Sequence, residues 1–502
     1  DHYSQAEPPK YPEGFINLTL VSNGDKGTGW ECKNAPNYDS RSTPDVIVIY
    51  SPGEYKFVGS TSVNNIQVAE NVKDVIIELR NAYIDVASQS KAAIDIRGGA
   101  EATIKLYGEN YLGGGPNASG INVPHKGGSG KVPSTASVII TSASGDGSIE
   151  GYLKSTCGTF AAGIGASNQV HTTHGKITIN GGTIESIGGG EFPGIGGRIV
   201  SGAIESSITV NGGKVTAVAG SGSAGIGSNK ANINFGQINI AGGSVYASGN
   251  GNAAIGGGSG KISITGGTVV ARNTVNSDGA PTKPGFGGAT DIVVTNASII
   301  ATGIESKITV TNSTVLTSHL TGAFTDGGNA FIVKDADLSL AQQAIKTDAT
   351  GESIINTNLL LKGNTTVPAE NRLIIPEGEH LVINDNVTLV IEGAIVLRGG
   401  LTCNRGNIVG KEKIIIEGNG YFSDCGQTNT GKISSDAVES AVVGLSGGIS
   451  VRLSVPAKIG VYTLSGQKVY SGVGLAGANT ITLKKGLYIV RVGAKGYKVL
   501  AK

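Results

Sequence analysis

The histidines His171 and His174 stand three residues apart, a spacing at which two imidazoles can bind one metal ion. A metal site normally adds further Cys, Asp, Glu or His ligands to such a pair. No Cys or carboxylate lies close to these two histidines in the sequence, and the segment reads as a loop. We therefore expect two solvated histidines and no metal site.

Two short runs of Asn, Ser and Asp offer the oxygen ligands that calcium prefers. They are Asn276-Ser277-Asp278 and Asn384-Asp385-Asn386. Because Asn and Asp side chains also bond to the nearby backbone, turns are the simpler interpretation. Calcium is the one cofactor that these residues leave open. The Gly-rich segments lack the Lys-Ser/Thr pair and the following helix of a P-loop, which excludes that kind of phosphate cradle.

Carboxylates were considered as acid and base groups for polysaccharide cleavage, which needs clustered Asp or Glu on one outer face. The acidic residues in the regular part of the chain are Glu185, Glu191, Glu205, Asp278, Asp291 and Glu305. They do not recur at one position of the repeat described below, although Glu205 and Glu305 each precede a strand. We predict no catalytic residue.

Aromatic side chains offer another chemistry, because their faces can stack on sugar rings. The candidates are Trp30, Tyr107, Tyr111 and Tyr152. Tyr111 falls at an apolar position of the repeat, so we expect it in the core. No single binding residue is assigned from the sequence.

The element that must position these residues is a phrase repeated along the chain: two apolar residues one apart, then Gly, Asn or Asp, then an apolar residue three positions later. Copies begin at Ile77, Ile104, Ile177, Ile208, Ile238, Ile262, Ile292, Ile308, Phe331, Leu389 and Ile414, with a partial copy at Leu359 and another start at Val138. A unit of this kind cannot bury its apolar face alone, which is typical of a solenoid.

Each part of the phrase has a structural meaning. Residues at i and i+2, such as Ile177 and Ile179, lie on one side of an extended strand. The Gly, Asn or Asp that follows tolerates positive φ, so we expect a corner there and a second strand beyond it. A Gly-Ile-Gly-like marker, as at Gly163-Ile164-Gly165, recurs on the same period and predicts a third short strand.

Three strands per coil predict an all-β fold, a parallel and right-handed β-helix with inward stacks of Ile and Val. One coil per copy gives about twelve coils and a column about 60 Å long at about 4.8 Å per coil. A β-sandwich of repetitive strands is the alternative, but its hairpin turns would recur at shorter intervals.

Composition fits this architecture and narrows the partners. Gly makes up 80 of 502 residues, without a collagen period, and the formal net charge is +1. That balance gives no bulk attraction to nucleic acid or an anionic membrane. No apolar run approaches the roughly 18 residues of a membrane span, so we expect no transmembrane segment.

Cysteine usage and the chain start bear on the compartment. The chain begins with Asp1 and contains no Met, from which we expect an exported protein whose leader was removed, or a trimmed chain. Cys32, Cys157, Cys403 and Cys425 allow three pairings. Cys403 and Cys425 fall in adjacent predicted coils, so a disulfide there is the preferred pairing, with burial as free thiols the alternative.

We divide the chain into four parts. Residues 1–45 form a lead-in and cap, since the open end of a solenoid must be covered. Residues 46–430 form the β-helix, 431–448 a Ser/Gly/Ala-rich linker, and 449–502 a small antiparallel β-sandwich of short strands joined by Gly turns.

The last part carries the most specific motifs, Val461-Tyr462-Thr463-Leu464-Ser465-Gly466 and Gly486-Leu487-Tyr488-Ile489-Val490-Arg491-Val492. It resembles the C-terminal sorting domain of the type IX secretion route in Bacteroidetes. The resemblance covers about an eighth of the chain and implies an extracellular or cell-surface location.

The column resembles extracellular bacterial β-helix proteins that are pectate-lyase-like in shape and described as carbohydrate-binding or adhesin-like. The runs that carry this are Gly53-Glu54-Tyr55-Lys56-Phe57, Val75-Ile76-Ile77-Glu78-Leu79 and Ile104-Lys105-Leu106-Tyr107-Gly108. They are mostly core and corner residues, so the resemblance supports the fold more than a site. We predict a secreted or cell-surface binding protein for a polysaccharide or host glycan, without catalysis. The alternatives are a polysaccharide lyase or glycoside hydrolase of this class, and a structural spacer. The oligomeric state stays open.

Overall fold

A computed structural model describes the chain over most of its length. The described residues are 14–34, 45–125, 134–142, 151–167, 173–197, 205–229, 234–273, 282–328, 330–333, 346–347, 352–354, 359–369, 371–425, 440–445, 447–453, 457–463, 468–474, 477–492 and 495–501. Among them the only helical element is the 3-10 turn Lys411–Lys413. The all-β prediction is therefore confirmed.

The first and larger part is a three-faced parallel β-helix, as predicted. On what we name the first face, each strand pairs in parallel with the equivalent strand of the next coil. Its strands are Phe15–Asn17, Gly53–Thr61, Val75–Asp85, Glu101–Tyr107, Ser137–Ser142, Lys176–Ile179, Ser207–Val210, Asn234–Ile240, Ser259–Ile264, Asp291–Thr295, Ile308–Thr311 and Phe324–Asp326.

The second face follows the corner, and its first strands are the ends of the long strands Gly53–Thr61 and Val75–Asp85. The other strands of the second face are Glu109–Gly113, Tyr152–Thr156, Thr183–Ile187, Lys214–Val218, Ser244–Ser248, Thr268–Arg272, Ser298–Ala301, Ser313–Thr317 and Ala330–Val333.

The third face carries the short Gly-Ile-Gly-like strands. Its parallel strands are Asp45–Ile49, Asn65–Val68, Ile94–Ile96, Ile121–Asn122, Ile164–Gly165, Ile195–Gly196, Ile226–Gly227, Ile255–Gly256 and Phe286–Gly287. At its N-terminal end, Lys26–Gly27 and Trp30–Asn34 add two antiparallel strands, with Trp30–Asn34 paired to Asp45–Ile49. These two strands occupy the edge that the third face would otherwise leave unpaired.

Side chains from all three faces point into one apolar core. Ile177 and Ile179 stack in register on Ile208 and Val210 of the next coil, and all four are fully buried. Val138 and Ile140 continue the same stack, so the start at Val138 is an ordinary strand of the first face. The apolar contact repeats from coil to coil, which is how a solenoid gains its stability.

The predicted corners differ between coils. Asn81, Gly108, Asn296 and Asn312 have positive φ at the predicted position. In the Gly-Gly copies the positive φ belongs to the second glycine, as at Gly182, with φ 91°. Both solutions turn the chain through a residue that tolerates the left-handed region.

Residues 346–425 form a second parallel stack with a different period. Its three sheets contain the strands Lys346–Thr347, Glu352–Ile354, Arg372–Ile375, Ala394–Leu397 and Ile414–Ile416; then Leu359–Leu361, His380–Ile383, Gly400–Cys403 and Tyr421–Ser423; then Thr365–Val367, Thr388–Ile391 and Asn407–Val409. Lys346–Thr347 is the one antiparallel member.

One coil per copy is wrong in this second stack. The copies at Leu359, Leu389 and Ile414 lie in three different sheets. Leu359 pairs with Leu381, and Leu381 with Leu401, so a coil takes only about 20 residues. The phrase describes a strand, a corner and a strand, and here its copies fall at corners that start from different sheets.

The apolar interior is correspondingly divided in two. The first core contains the inward residues from Leu18 to Ala330, and the second contains those from Leu359 to Ile408. Ile300 and Leu316 point outward from the second face of the first stack, yet they are buried in the second core. The second stack therefore packs on the outer surface of the last coils of the first.

The disulfide prediction is confirmed. Cys403 and Cys425 are bonded, with their Cα atoms 4.6 Å apart, and they join neighbouring strands at the C-terminal end of the second stack. Cys32 is buried and Cys157 half-buried, both as free thiols. Burial raises the pKa of Cys32 to about 11 and that of Cys157 to about 12, so neither is a reactive thiolate at neutral pH.

The C-terminal part has two small antiparallel sheets around a third core. Their strands are Ser440–Leu445, Gly448–Leu453 and Gly477–Thr482, and Ala457–Thr463, Lys468–Gly474, Gly486–Val492 and Lys495–Ala501. The strand Ser440–Leu445 lies within the stretch predicted as linker. Over the described residues, none of the helical structure is long and apolar enough to span a membrane.

Candidate functional site

The histidine pair is not a solvated pair. His171 lies outside the described residues, and His174 is fully buried. Its Nδ1 lies 2.9 Å from the carbonyl of Gly175, while its Nε2 has no hydrogen-bond partner among the described residues. Burial lowers the pKa of His174 to about 4, so the ring is neutral at pH 7. The prediction of a solvated His174 is wrong because His174 itself forms an isolated antiparallel β-bridge with Pro124 and is fully buried.

A second histidine, His125, lies near His174. Its Nδ1 is 3.0 Å from the Thr135 hydroxyl, which also donates to the Glu205 carboxylate at 3.1 Å. Across the described residues, no group of three or more His, Cys, Asp or Glu side chains is arranged to hold a metal ion.

The calcium candidates have other contacts. Asp385 forms an ion pair with Arg405 at 3.1 Å and accepts the backbone N–H of Arg405. Asn386 has φ 62° and makes the turn that the sequence favours. The run Asn276-Ser277-Asp278 lies outside the described residues.

The acidic candidates lie on different elements. Glu185 is on the second face, whereas Asp291 begins a first-face strand and lies 3.6 Å from Lys307. Glu205 and Glu305 precede first-face strands, Glu191 lies in a turn, and Asp278 is outside the described residues. Glu185 alone belongs to a cluster with aromatic residues.

That cluster lies on the outer surface of the second face. Tyr83 and Tyr111 occupy paired positions on neighbouring strands, and their rings stack with centroids 4.6 Å apart and planes at 16°. Tyr83 is 47% exposed. Tyr152 lies on the next strand, and we name Tyr83, Tyr111 and Tyr152 the tyrosine cluster.

The prediction that Tyr111 is a core residue is wrong. This coil has one more residue at its corner than the preceding coil, because Tyr107 pairs with Arg80 and Tyr111 with Tyr83. The inward positions therefore fall on Asn110 and Leu112. Asn110 holds the corner from inside: its Nδ2 contacts the carbonyl oxygens of Tyr107 and Tyr152 at 3.1 Å. Tyr111 therefore points outward.

The sequence also leaves room for the Tyr111 ring. A Cβ at Gly113 would lie 2.9 Å from Cε1 of Tyr111 and 2.7 Å from the Asp85 carboxylate, so both groups lie directly over this glycine. The Tyr111 hydroxyl is 3.0 Å from the Thr156 hydroxyl. These contacts fix the ring in one orientation.

Tyr152, Lys154 and Glu185 form a hydrogen-bonded group beside the stacked rings. Tyr152 donates its hydroxyl proton to Glu185 at 2.8 Å, and Lys154 donates to the other carboxylate oxygen at 3.1 Å. The Tyr152 hydrogen bond, followed by Lys154, lowers the pKa of Glu185. Burial and then the Glu185 carboxylate raise the pKa of Tyr152 to about 12. The carboxylate is thus held ionised, and the phenol protonated.

The same row of the second face can be followed along the whole first stack. From Glu185 it passes through Thr216 to Tyr246, which is 39% exposed, and then to Val270 and Ile300. Beyond Tyr246 the second core covers the row. The open part of this surface therefore runs from Tyr83 to Tyr246.

The other aromatic candidates are less available. Trp30 is half-buried and packs against the first core. Tyr107 lies on the first face, where the Arg80 guanidinium covers its ring at 4.3 Å. Sequence analysis missed Tyr83, although its place directly before the buried Ile84 on an alternating strand indicates an outward side chain.

The arrangement suits contact with a polymer better than bond cleavage. It presents immobilised aromatic rings beside hydroxyl, ammonium and carboxylate groups, and its central carboxylate already accepts two hydrogen bonds. In comparisons with known proteins, no protein-family model, curated protein or solved structure matches this chain.

Proposed function

We propose that the protein binds carbohydrate through the tyrosine cluster and does not cleave it, as an exported or cell-surface, adhesin-like protein. The single observation that carries the proposal is the stacked, outward-facing pair Tyr83 and Tyr111. The exported location is supported by the resemblance of the C-terminal part to a secretion sorting domain.

Aromatic rings on a rigid sheet suit sugar rings because the apolar face of a sugar loses little on leaving water, while its edge hydroxyls need partners. The site offers both kinds of surface. Thr156, Lys154 and Glu185 lie one or two strands from Tyr111, within reach of a sugar stacked on its ring. The contacts at Gly113 and Thr156 hold the site ready, which lowers the entropy cost of binding.

Binding without cleavage is supported by the state of Glu185. A glycosidase needs a carboxylic acid with a raised pKa to protonate the leaving oxygen. The Tyr152 and Lys154 hydrogen bonds lower the pKa of Glu185 instead. Its carboxylate is a fixed acceptor and orienting group.

The test is binding of the full chain to a panel of polysaccharides and host glycans, measured by calorimetry and affinity electrophoresis. For a bound glycan, we expect Tyr83→Ala and Tyr111→Ala each to weaken affinity at least about fivefold, since a lost aromatic contact costs about 1 kcal/mol. Tyr246→Ala is the matched control, because Tyr246 is exposed in the same row about 19 Å from Tyr111.

The control variant keeps wild-type affinity if the tyrosine cluster is the site. Equal losses in all three variants would contradict the location of the site. New reducing ends or unsaturated products would identify an enzyme. If the chain neither binds nor cleaves any glycan of the panel, the protein is a structural spacer.

A further inference from the structure

We infer that the tyrosine cluster selects uncharged glycan chains and excludes those that carry uronate or sulfate groups; this inference rests on the proposed function. The selectivity comes mainly from Asp85 and Glu109, two acidic side chains beside the stacked rings. The inference differs from what a pectate-lyase-like shape suggests, since pectate is polyanionic.

Three carboxylates surround the rings. Asp85 lies over Gly113 beside Tyr111, Glu109 lies two residues from Tyr111 on the same strand, and Glu185 lies two strands away. Among the described residues, neither Asp85 nor Glu109 forms an ion pair. Glu109 is exposed. A chain laid across the rings therefore meets two acidic groups without a cationic partner among these residues, of which Asp85 accepts the backbone N–H of Ala87.

Among the described residues, no basic group pairs with Asp85 or Glu109 to neutralise their negative charge. On the described second-face strands from Tyr83 to Glu185, Lys154 carries the one ammonium group, and it lies 3.1 Å from a Glu185 oxygen. Lys214 stands two strands beyond Tyr152, about 10 Å along the stack. Proteins recognise carboxylate and sulfate with Arg or Lys donors. A bound uronate would instead face like charge, which costs free energy wherever solvent is displaced.

The same carboxylates favour uncharged sugars. An ionised Asp or Glu is an acceptor with about four lone-pair sites, and a sugar hydroxyl is a donor that can satisfy them. Asp85 lies two residues after Tyr83 and Glu109 two residues before Tyr111, so these two flank the rings along the strands, whereas Lys154 and Glu185 follow Tyr111 along the stack. Hydroxyl groups at the edge of a stacked sugar thus meet acceptors on both sides.

The test uses polymers that differ in charge alone: polygalacturonate, polymannuronate and polyglucuronate, each beside its carboxyl-reduced neutral counterpart. Affinity of the full chain is measured by calorimetry at about 0.01 M and about 1 M salt, where screening lengths are about 30 and 3 Å. For any bound pair, we expect the neutral polymer to bind about tenfold tighter at low salt. The ratio should fall towards one at high salt.

The double variant Asp85→Asn, Glu109→Gln should reduce the ratio of neutral to uronate polymer affinity at low salt. Asp291→Asn on the first face is the matched control and should leave this ratio unchanged. Equal or tighter binding of a uronate polymer at low salt would overturn the inference while leaving carbohydrate binding in place. Failure to bind any of the six polymers, together with no binding across the wider glycan panel, would overturn the proposed function and this inference together.

Discussion

His174 and His380 are buried as neutral rings in the two stacks. His380 is 3.0 Å from the Thr402 hydroxyl, and the Tyr421 hydroxyl is 3.0 Å from its Nδ1. Burial lowers the pKa of both histidines from 6.5 to about 4. Each ring fills space in the fold and, in the native chain, takes up a proton only near pH 4 and below.

We expect stability to fall as the pH falls from about 6.5 to about 4. In that window the unfolded chain binds a proton at each histidine and the native chain does not, so the free energy of unfolding decreases on acidification. Each histidine contributes at most about 1.4 kcal/mol per pH unit. Urea unfolding at several pH values measures the slope.

The variant His380→Gln isolates one contribution to that slope, because glutamine does not titrate. Its unfolding free energy should depend less on pH than that of the wild type. His319→Gln is the control, because it makes the same substitution at an exposed residue. An identical slope in His380→Gln and wild type would contradict a neutral buried His380.

At the scale of elements, the third face is built on glycine. Gly165, Gly196, Gly227 and Gly256 lie in register at outward positions, with φ between 108° and 137°. A Cβ on any of them would lie 2.0–2.3 Å from the carbonyl oxygen of the equivalent glycine in the next coil. Neighbouring coils can therefore approach this closely only because these four positions carry no side chain.

Gly196→Ala should destabilise the protein by roughly 3 kcal/mol or more, because it adds a clash with the backbone to the strain of positive φ. Gly222→Ala separates the two effects. Gly222 has φ +73° and no atom within 4 Å of its added Cβ, so only the strain, about 1 kcal/mol, remains. Denaturant unfolding followed by circular dichroism compares them, and equal losses would refute the close-approach argument.

The repeat phrase predicts the strands and most of the corners, because alternation and positive φ are local properties of the chain. It does not determine which face a copy belongs to. Leu359, Leu389 and Ile414 satisfy the same phrase on three different sheets, since every corner of a short coil has the same local requirements. Only the pairing of the strands shows to which sheet each copy belongs.

The candidate site was less predictable for the same reason. One extra residue at the corner beside Gly108 places Tyr111, an expected core residue, on the outer surface as a half-buried platform. The stacking of Tyr83 on Tyr111 joins residues 28 positions apart, and it depends on the pairing register of two coils. By contrast, Cys403 and Cys425 were paired correctly because adjacency of coils was enough.

At the scale of the whole molecule, one row of outward side chains on the second face has two structural roles. In the row through Tyr111, the outward side chains are aromatic or polar from Tyr83 to Tyr246, and apolar at Ile300 and Leu316. The apolar end is covered by the second stack, and the polar end is open. A single scaffold thus provides both an internal docking surface and the proposed binding surface, with no change of local fold.

We propose that the C-terminal part, which has its own core, directs delivery to the cell surface independently of the proposed binding surface. We expect the full chain, expressed in a bacterium with the type IX route, to be accessible to protease on intact cells. A chain without residues 449–502 should remain in the periplasm and be protected, because it lacks the sorting-like strands. Tyr83→Ala in the full chain is the control that should reach the surface and fail only in binding. Surface exposure of the truncated chain would contradict a sorting role, since the β-helix would then carry its own address.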